Sequence, residues 1–265
     1  MFRRITRNGI SIITVPELES SFGIRVIFTN RLGGFSKGPY ESLNLSFNVG
    51  DDYESVLANR MKVAREIEIP LSNWVTMKQI HSNHVIVIKE EDKGRGGIDY
   101  NSALPSCDAL VSSIPGVACA ALVADCVPVV IACPSGHAVA VAHAGWRGAL
   151  LKVCVETSKE LEEDCGLPSS EFLAFVGPHV CANCFEVGEE IAEKFLREYP
   201  HAVRRKEFGI KIDLGMVIRE QLEECGIPAE MIFEIDDCTM CDSRYYSFRR
   251  LKGITGRQAC FVAIL

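Results

Sequence analysis

The chain has 265 residues, 48% of them apolar and 24% charged, with 28 Lys and Arg against 35 Asp and Glu for a formal net charge of −7. This composition excludes a disordered chain, and the length allows a sizeable core without covalent staples. Net acidity argues against a general nucleic-acid binder, which needs a basic footprint, but leaves room for a small anionic substrate held by a few arginines.

The pattern from residue 24 to 29 predicts a strand, and the glycines and proline between Arg31 and Tyr40 predict a loop. Asp51-Asp52 offers a helix start, and Val56, Met61, Val63, Ala64 and Ile67 give a helical stripe running to Pro70. Residues 84–89 read as a short strand, and the charged, glycine-containing stretch 89–105 as a surface loop or hairpin tip. Four apolar runs follow, at 108–113, 117–123, 127–132 and 138–142, and their continuity fits strands buried on both faces. After Gly145 the period changes to 3.6, and one helix is expected through Leu150 to Cys165, stopped by Gly166. A strand at 172–176, helices at 188–199 and 214–225, and strands at 231–235 and 259–265 complete the reading. No linker or repeat interrupts it, so one α/β or α+β domain spanning 1–265, with layered sheets, is expected.

Twelve cysteines are the unusual feature. The stretch Met1 to Gly9 has no apolar core behind its basic residues, and a chain of this length does not need disulfides, so a reducing cytoplasmic setting is expected. The apolar stretch 116–133 contains Asp125 and Pro128 and reads as two buried strands rather than a membrane span. Cys119, Cys133, Cys154, Cys165, Cys225 and Cys260 lie in apolar patterns and are expected to be small packing residues.

Three segments carry chemistry. In the first, a buried strand runs into His143 and a glycine-flanked turn, with Trp146-Arg147 at a helix start where an anion can bind. A core histidine in a tight turn fits this pattern equally well. In the second, Asp125-Cys126 interrupts an apolar run, and a buried carboxylate needs partners; Cys126 as core filler is the alternative. The third is the polar cluster Met77 to His84, in which either histidine can be a surface residue. Together His81, Cys126 and His143 form a His₂Cys set, the number of protein ligands found in catalytic zinc sites with an open fourth position. Spacing alone does not select them.

The motifs in order are Thr29 to Ser36, Ser42-Leu43-Asn44-Leu45, Asn59-Arg60, Gln79-Ile80-His81, Cys107-Asp108-Ala109, Ala124 to Pro128, His143 to Gly148, Gly177-Pro178, Phe185 to Gly188, Cys238-Thr239, Ser247 to Arg250 and Thr255-Gly256-Arg257. On these the chain resembles the laccase-domain family, also called multicopper polyphenol oxidase-like or peptidoglycan editing factor proteins. The resemblance implies an α/β/β/α layered sandwich and zinc on His81, Cys126 and His143, which would be the catalytic residues. It also implies purine nucleoside phosphorylase activity, with adenosine deaminase and methylthioadenosine phosphorylase activities alongside. Ser82 stands where the family usually has glycine, so the loop after His81 is expected to differ in shape.

Phosphorolysis requires an anion site, stabilisation of positive charge on the ribose and help for the departing purine. Arg147 is the candidate for the anion, and Arg31, Ser36, Asn44, Arg60 and Gln79 are candidates for substrate contact; for Arg31 and Arg60 an ordinary bridging arginine is as good a reading. Asp125 is a candidate to orient a metal ligand, from adjacency alone. The expected partners are a purine nucleoside and phosphate, with no nucleic acid and no membrane. Zinc is preferred to copper: six histidines cannot furnish both a His₂Cys centre and a histidine-rich trinuclear cluster, which leaves polyphenol oxidation the least favoured role. Two other readings stay open, a metal-independent cysteine hydrolase acting on peptidoglycan precursors through Cys126 and His143, and a non-catalytic protein with structural zinc. The units Cys181-Ala182-Asn183-Cys184 and Cys238-Thr239-Met240-Cys241 can in principle make a Cys₄ site. Their separation is longer than in common zinc ribbons, and a buried or redox-labile pair is the preferred reading.

Overall fold

The computed structural model describes residues 1–207 and 209–265. In chain order its strands are β1 Arg3–Arg7, β2 Ile10–Thr14, β3 Ile24–Thr29, β4 Trp74–Thr76, β5 Val85–Val87, β6 Ala109–Ser112, β7 Ala118–Val123, β8 Val127–Cys133, β9 Ala138–Ala144, β10 Leu173–Val176, β11 Glu186–Val187, β12 Val203–Lys206, β13 Gly209–Ile212, β14 Ile232–Glu234 and β15 Gln258–Ile264. The α-helices are α1 Pro16–Phe22, α2 Tyr53–Glu66, α3 Trp146–Leu150, α4 Val153–Cys165, α5 Glu189–Glu198 and α6 Leu214–Glu224.

Two six-stranded mixed sheets, ordered β1-β2-β3-β15-β7-β4 and β14-β10-β8-β9-β6-β5, pack face to face. Their shared core takes Val26, Phe28, Cys119 and Val262 from the first sheet and Leu110, Val130, Val141 and Phe175 from the second. Alternate residues of the same strands face outward. Ile27, Ala120 and Phe261 meet Val63 and Ile67 at helix α2, while Val129, Ile131 and Ala140 meet Leu161, Phe195 and Ile218 on α4, α5 and α6. Each sheet is therefore covered on both faces, which is why β8 and β9 are apolar at nearly every position and wholly buried. A small sheet ordered β11-β13-β12 flanks this sandwich.

The helix ends follow local chemistry. Asp52 caps α2 by accepting from the Ser55 N–H at 2.9 Å, and Asp213 caps α6 by accepting from the Met216 N–H at 3.1 Å. Gly166 ends α4 with a left-handed φ of 70°, a conformation that costs other residues a Cβ clash.

The structure departs from the sequence pattern in several places, among them the short strands β4 and β11, which the pattern does not predict. The single helix expected across Leu150 is broken at Lys152, which takes a left-handed φ of 59°. This break lets α3 run off the end of β9 while α4 turns to lie along the sheet; the apolar period continues through the break because both pieces face the same core. The hairpin β1–β2 with α1 was not legible, since β1 reads Arg-Arg-Ile-Thr-Arg and is a mostly exposed edge strand. The hairpin β12–β13 is not legible either: β12 is a mostly exposed edge strand, and β13, though central in its small sheet, is only half-buried. Cys119, Cys133, Cys154 and Cys260 are buried packing residues, whereas Cys165 and Cys225 are only partly buried; all twelve cysteines are free. Among the described residues no helix is long and apolar enough to cross a membrane.

Candidate metal centre and active site

His81, Cys126 and His143 come together, their ligand atoms within 4.8 Å of one another. Cys126 sits in the turn where the chain passes from β7 in one sheet to β8 in the other. His143 is at the end of β9, opposite the start of β8, where Pro128 pairs with it in register. His81 lies in the loop between β4 and β5. Two of these turns are left-handed at non-glycine residues, with φ 63° at His81 and 87° at Asp125, conformations that persist only where the surroundings hold them.

Asp108 holds the first turn. Its buried carboxylate accepts from the backbone N–H groups of Ile80, His81 and Ser82 at 3.2, 3.0 and 2.6 Å, and from the Ser82 hydroxyl at 2.8 Å. It also bonds His143 Nδ1 at 2.8 Å, while the His143 N–H donates to the Asp108 backbone carbonyl at 2.7 Å. One carboxylate thus shapes the His81 loop and turns His143 so that Nε2 points into the cluster. Burial opposes its charge, but the bonds from His143 and Ser82 win and hold Asp108 down at about 2. His143 is pulled down by burial yet carried up to about 9 by Cys126 and Asp108, whereas burial and the facing His143 push His81 down to about 4. Ser82, where the family usually has glycine, keeps φ negative and adds its hydroxyl to Asp108, while His81 carries the positive φ of this loop.

Asp125 holds the second turn. Its carboxylate accepts from the Thr239 and Ser247 hydroxyls at 2.6 and 3.0 Å and from the Arg249 N–H at 2.8 Å. It bonds none of the three ligands; the carboxylate that orients a ligand is Asp108, not Asp125. The role of Asp125 is to tie the Cys126 turn to the segment 239–249.

The donor set fits a metal ion. Among the described residues, His81 Nδ1 is buried and has no hydrogen-bond partner, which is costly for an imidazole unless something else takes its lone pair. Gly145 closes the cluster from the side: a Cβ there would overlap His81 Nδ1 and come within 3.2 Å of Cys126 Sγ. Two imidazoles and a thiolate suit zinc or copper and suit calcium or magnesium poorly.

The cluster opens into a cavity of about 460 Å³. Of the substrate candidates, Gln79 and Arg147 line it. Both ends of the Gln79 amide are engaged with the Leu122 backbone, at 2.8 and 2.9 Å. The Arg147 guanidinium lies over the Trp146 ring at 4.4 Å, and among the described residues its side chain has no hydrogen-bond or ion-pair partner. Because α3 is only five residues long, the cation rather than the helix end is the main anion-attracting feature. The other four candidates do not line the cavity. Arg31 donates to the Glu41 carbonyl at 2.5 Å and lies over Tyr246. Ser36 and Asn44 are buried in a hydrogen-bond network with Asn59 and Ser46. Arg60 is spent on the carbonyls of Leu45, Gly96 and Gly97 and stacks on Phe47.

Three kinds of residue at the site are not singled out by the sequence. Arg249 and Arg257 bring two further cations, each partly desolvated and with its pKa lowered by burial. Phe185 and Phe248 bring aromatic faces. Asp108 sits behind the ligands. All five belong to motifs noted above, so the signal was present, but motif membership does not tell a lining residue from a bracing one.

A layered mixed-sheet α/β fold with a His₂Cys cluster on the floor of an arginine-lined cavity defines the class. The family described as multi-copper polyphenol oxidoreductase laccase matches residues 25–265, and the chain belongs to this family. It is 32% identical over 240 residues to the purine nucleoside phosphorylase YlmD of Geobacillus stearothermophilus, covering 88% of each chain. It is 33% identical over 241 residues to the adenosine deaminase RL5 of an unknown prokaryotic organism, covering 89% of this chain and 92% of that one. In three dimensions it superposes on the YfiH protein of Bacillus licheniformis with a TM-score of 0.93 at 29% identity, covering 100% of this chain and 99% of the other. The single-domain α/β architecture with mixed sheets is thus shared.

Proposed function

We propose that the chain is a zinc-dependent purine nucleoside phosphorylase that cleaves inosine and adenosine with phosphate, and that adenosine deamination and methylthioadenosine phosphorolysis use the same site. The observation that carries this reading is the unpartnered His81 Nδ1 in a His₂Cys cluster, facing a cavity that also holds the unpaired Arg147. The names of the relatives point the same way. A zinc ion held by His81, Cys126 and His143 would supply Lewis acidity and an open coordination position.

The chain's own residues do the rest. Arg147 takes the phosphate by charge-assisted bonds, with Arg257, which lines the same cavity, adding positive field. Phe185 and Phe248 offer faces for a purine and keep water from the reacting carbon. Asp108 keeps His143 Nδ1 protonated and its Nε2 directed at the cluster. We place this activity in a cytoplasmic setting, where free thiols persist. Histidine supply argues against a multicopper oxidase: His84, His179 and His201 are engaged with Ser106, Gly177 and Glu220, and none of them belongs to the cluster.

One observation favours a second reading. Asp108, His143 and Cys126 form a carboxylate–imidazole–thiol relay, the arrangement of a cysteine hydrolase. His81 stands against both catalytic groups, and this third ligand is what favours the metal. Product analysis decides between them. Zinc-loaded protein should convert inosine plus phosphate to free base and ribose 1-phosphate, and His81→Ala or Cys126→Ala should abolish this. Full turnover by metal-free protein would sink the zinc reading.

A further inference from the structure

We propose that Cys181, Cys184, Cys238 and Cys241 form a second metal site, a structural tetrathiolate that takes zinc, independent of the phosphorylase reading. The strands β10 and β14 are parallel neighbours, so the segments leaving their carboxyl ends run side by side. The pairing continues past the strands through a His179–Cys238 bridge and a Thr239 N–H bond to the His179 carbonyl at 3.0 Å. Each segment then makes a tight turn, closed by Cys184 N–H to the Cys181 carbonyl at 2.9 Å and by Asp242 N–H to the Cys238 carbonyl at 2.9 Å. The two turns face one another, and sequence separation no longer matters: cysteines 57 positions apart meet across them.

All four sulfurs lie within 4.8 Å of one another, with Cys184 Sγ and Cys241 Sγ 3.4 Å apart. A tetrahedral zinc with bonds of about 2.3 Å sets its sulfurs about 3.8 Å apart, so the cluster is close to a zinc-binding geometry. The Cys181 N–H points at Cys238 Sγ at 3.3 Å, a bond that supports a thiolate. The 3.4 Å sulfur contact joins cysteines of different CxxC units, the cross-unit approach that a tetrathiolate requires. Binding sends the thiol protons to solvent and leaves a centre of net charge −2. Each turn carries a cation: Lys211 on the Asn183 carbonyl, and Arg250 on the carbonyls of Thr239, Met240 and Asp242.

The position gives the site a task. Thr239 lies inside the second turn and donates to Asp125, and Ser247 and Arg249 follow it to the same carboxylate. A metal that clamps the two turns therefore fixes the segment bracing the Cys126 turn and carrying Phe248 and Arg249 to the cavity.

The test uses the full chain with the first site removed. Cys126→Ala protein should retain one zinc per chain after dialysis against a weak chelator, where the wild type retains two. Its cobalt-substituted form should show the charge-transfer bands of a sulfur-only tetrahedral site. Cys241→Ser, an exposed and nearly isosteric change, should lose this metal and its bands while keeping the metal of the His81 cluster. X-ray absorption at the zinc edge of wild-type protein gives a check that needs no variant: averaged over both sites, it should require more sulfur per zinc than the single thiolate that the His81 cluster supplies. The proposal is overturned if Cys126→Ala protein holds no metal while its CxxC cysteines react as free thiols or are recovered as disulfides, or if wild-type protein holds one zinc that Cys241→Ser leaves unchanged.

Discussion

Asp108 Oδ1 lies 2.8 Å from His143 Nδ1, while the same carboxylate gathers three consecutive N–H groups from the loop that carries His81. Two of the three cluster residues are thus positioned by one side chain that touches no cavity. Replacing it separates orientation from ligation. Asp108→Ala should weaken zinc binding by about 10–100-fold, the usual effect of losing such a partner, with a matching loss of activity at limiting zinc. Asp108→Asn should lie between it and the wild type. Competition with a chromogenic chelator measures this, and unchanged affinity in a folded Asp108→Ala chain would remove Asp108 from the account.

Gly145 is required by space. A methyl group there collides with His81 Nδ1 and crowds Cys126 Sγ, although the backbone φ of −76° suits any residue. Gly145→Ala should therefore fold, melt close to the wild type and bind zinc at the cluster poorly. Wild-type zinc content at this site, after Cys241→Ser has removed the other, would show that the cluster has more room than the geometry allows.

Among the described residues Arg147 has no side-chain partner, whereas Arg249 and Arg257 spend donors on carbonyls. Arg147→Ala should raise the KM for phosphate by about tenfold or more, equivalent to at least about 1.4 kcal/mol of lost anion binding. The KM for nucleoside should change less. Arg147→Lys should restore part of the effect, because a lysine keeps the charge but loses the fork. Steady-state kinetics with each substrate varied in turn reads this directly.

Asp125 predicts stability rather than affinity. Asp125→Ala leaves the Thr239 and Ser247 hydroxyls and the Arg249 N–H without their acceptor in a buried setting, at about 1–3 kcal/mol for an unsatisfied buried group. Urea unfolding should show a lower midpoint with an unchanged slope. The left-handed φ of 87° at this position adds to the strain, since alanine tolerates it poorly.

How far the sequence could be read depended on what each signal reports. Buried strands such as β8 and β9 announce themselves because both faces are apolar. The edge strand β1 does not, because its residues face solvent. The break at Lys152 is invisible to periodicity, since α3 and α4 share a core. His81, Cys126 and His143 stand out by resemblance and not by spacing; they lie in two separate turns and at the end of β9. Asp108 and Asp125 look alike in sequence, each a carboxylate beside a cysteine. Only the fold tells that Asp108 faces His143 while Asp125 faces Thr239. The four CxxC cysteines stand far apart in sequence, and the sequence does not tell that β10 and β14 pair in parallel and carry the two units to one place.

The central claim is that phosphorolysis depends on the metal held by His81, Cys126 and His143. The most direct measurement is phosphate-dependent release of base from inosine as zinc is stripped from the wild-type chain and then returned, with Cys126→Ala followed in parallel. Activity should fall and recover with zinc in the wild type, and should be absent from Cys126→Ala at every zinc concentration. Undiminished turnover by the stripped wild-type chain would contradict the account.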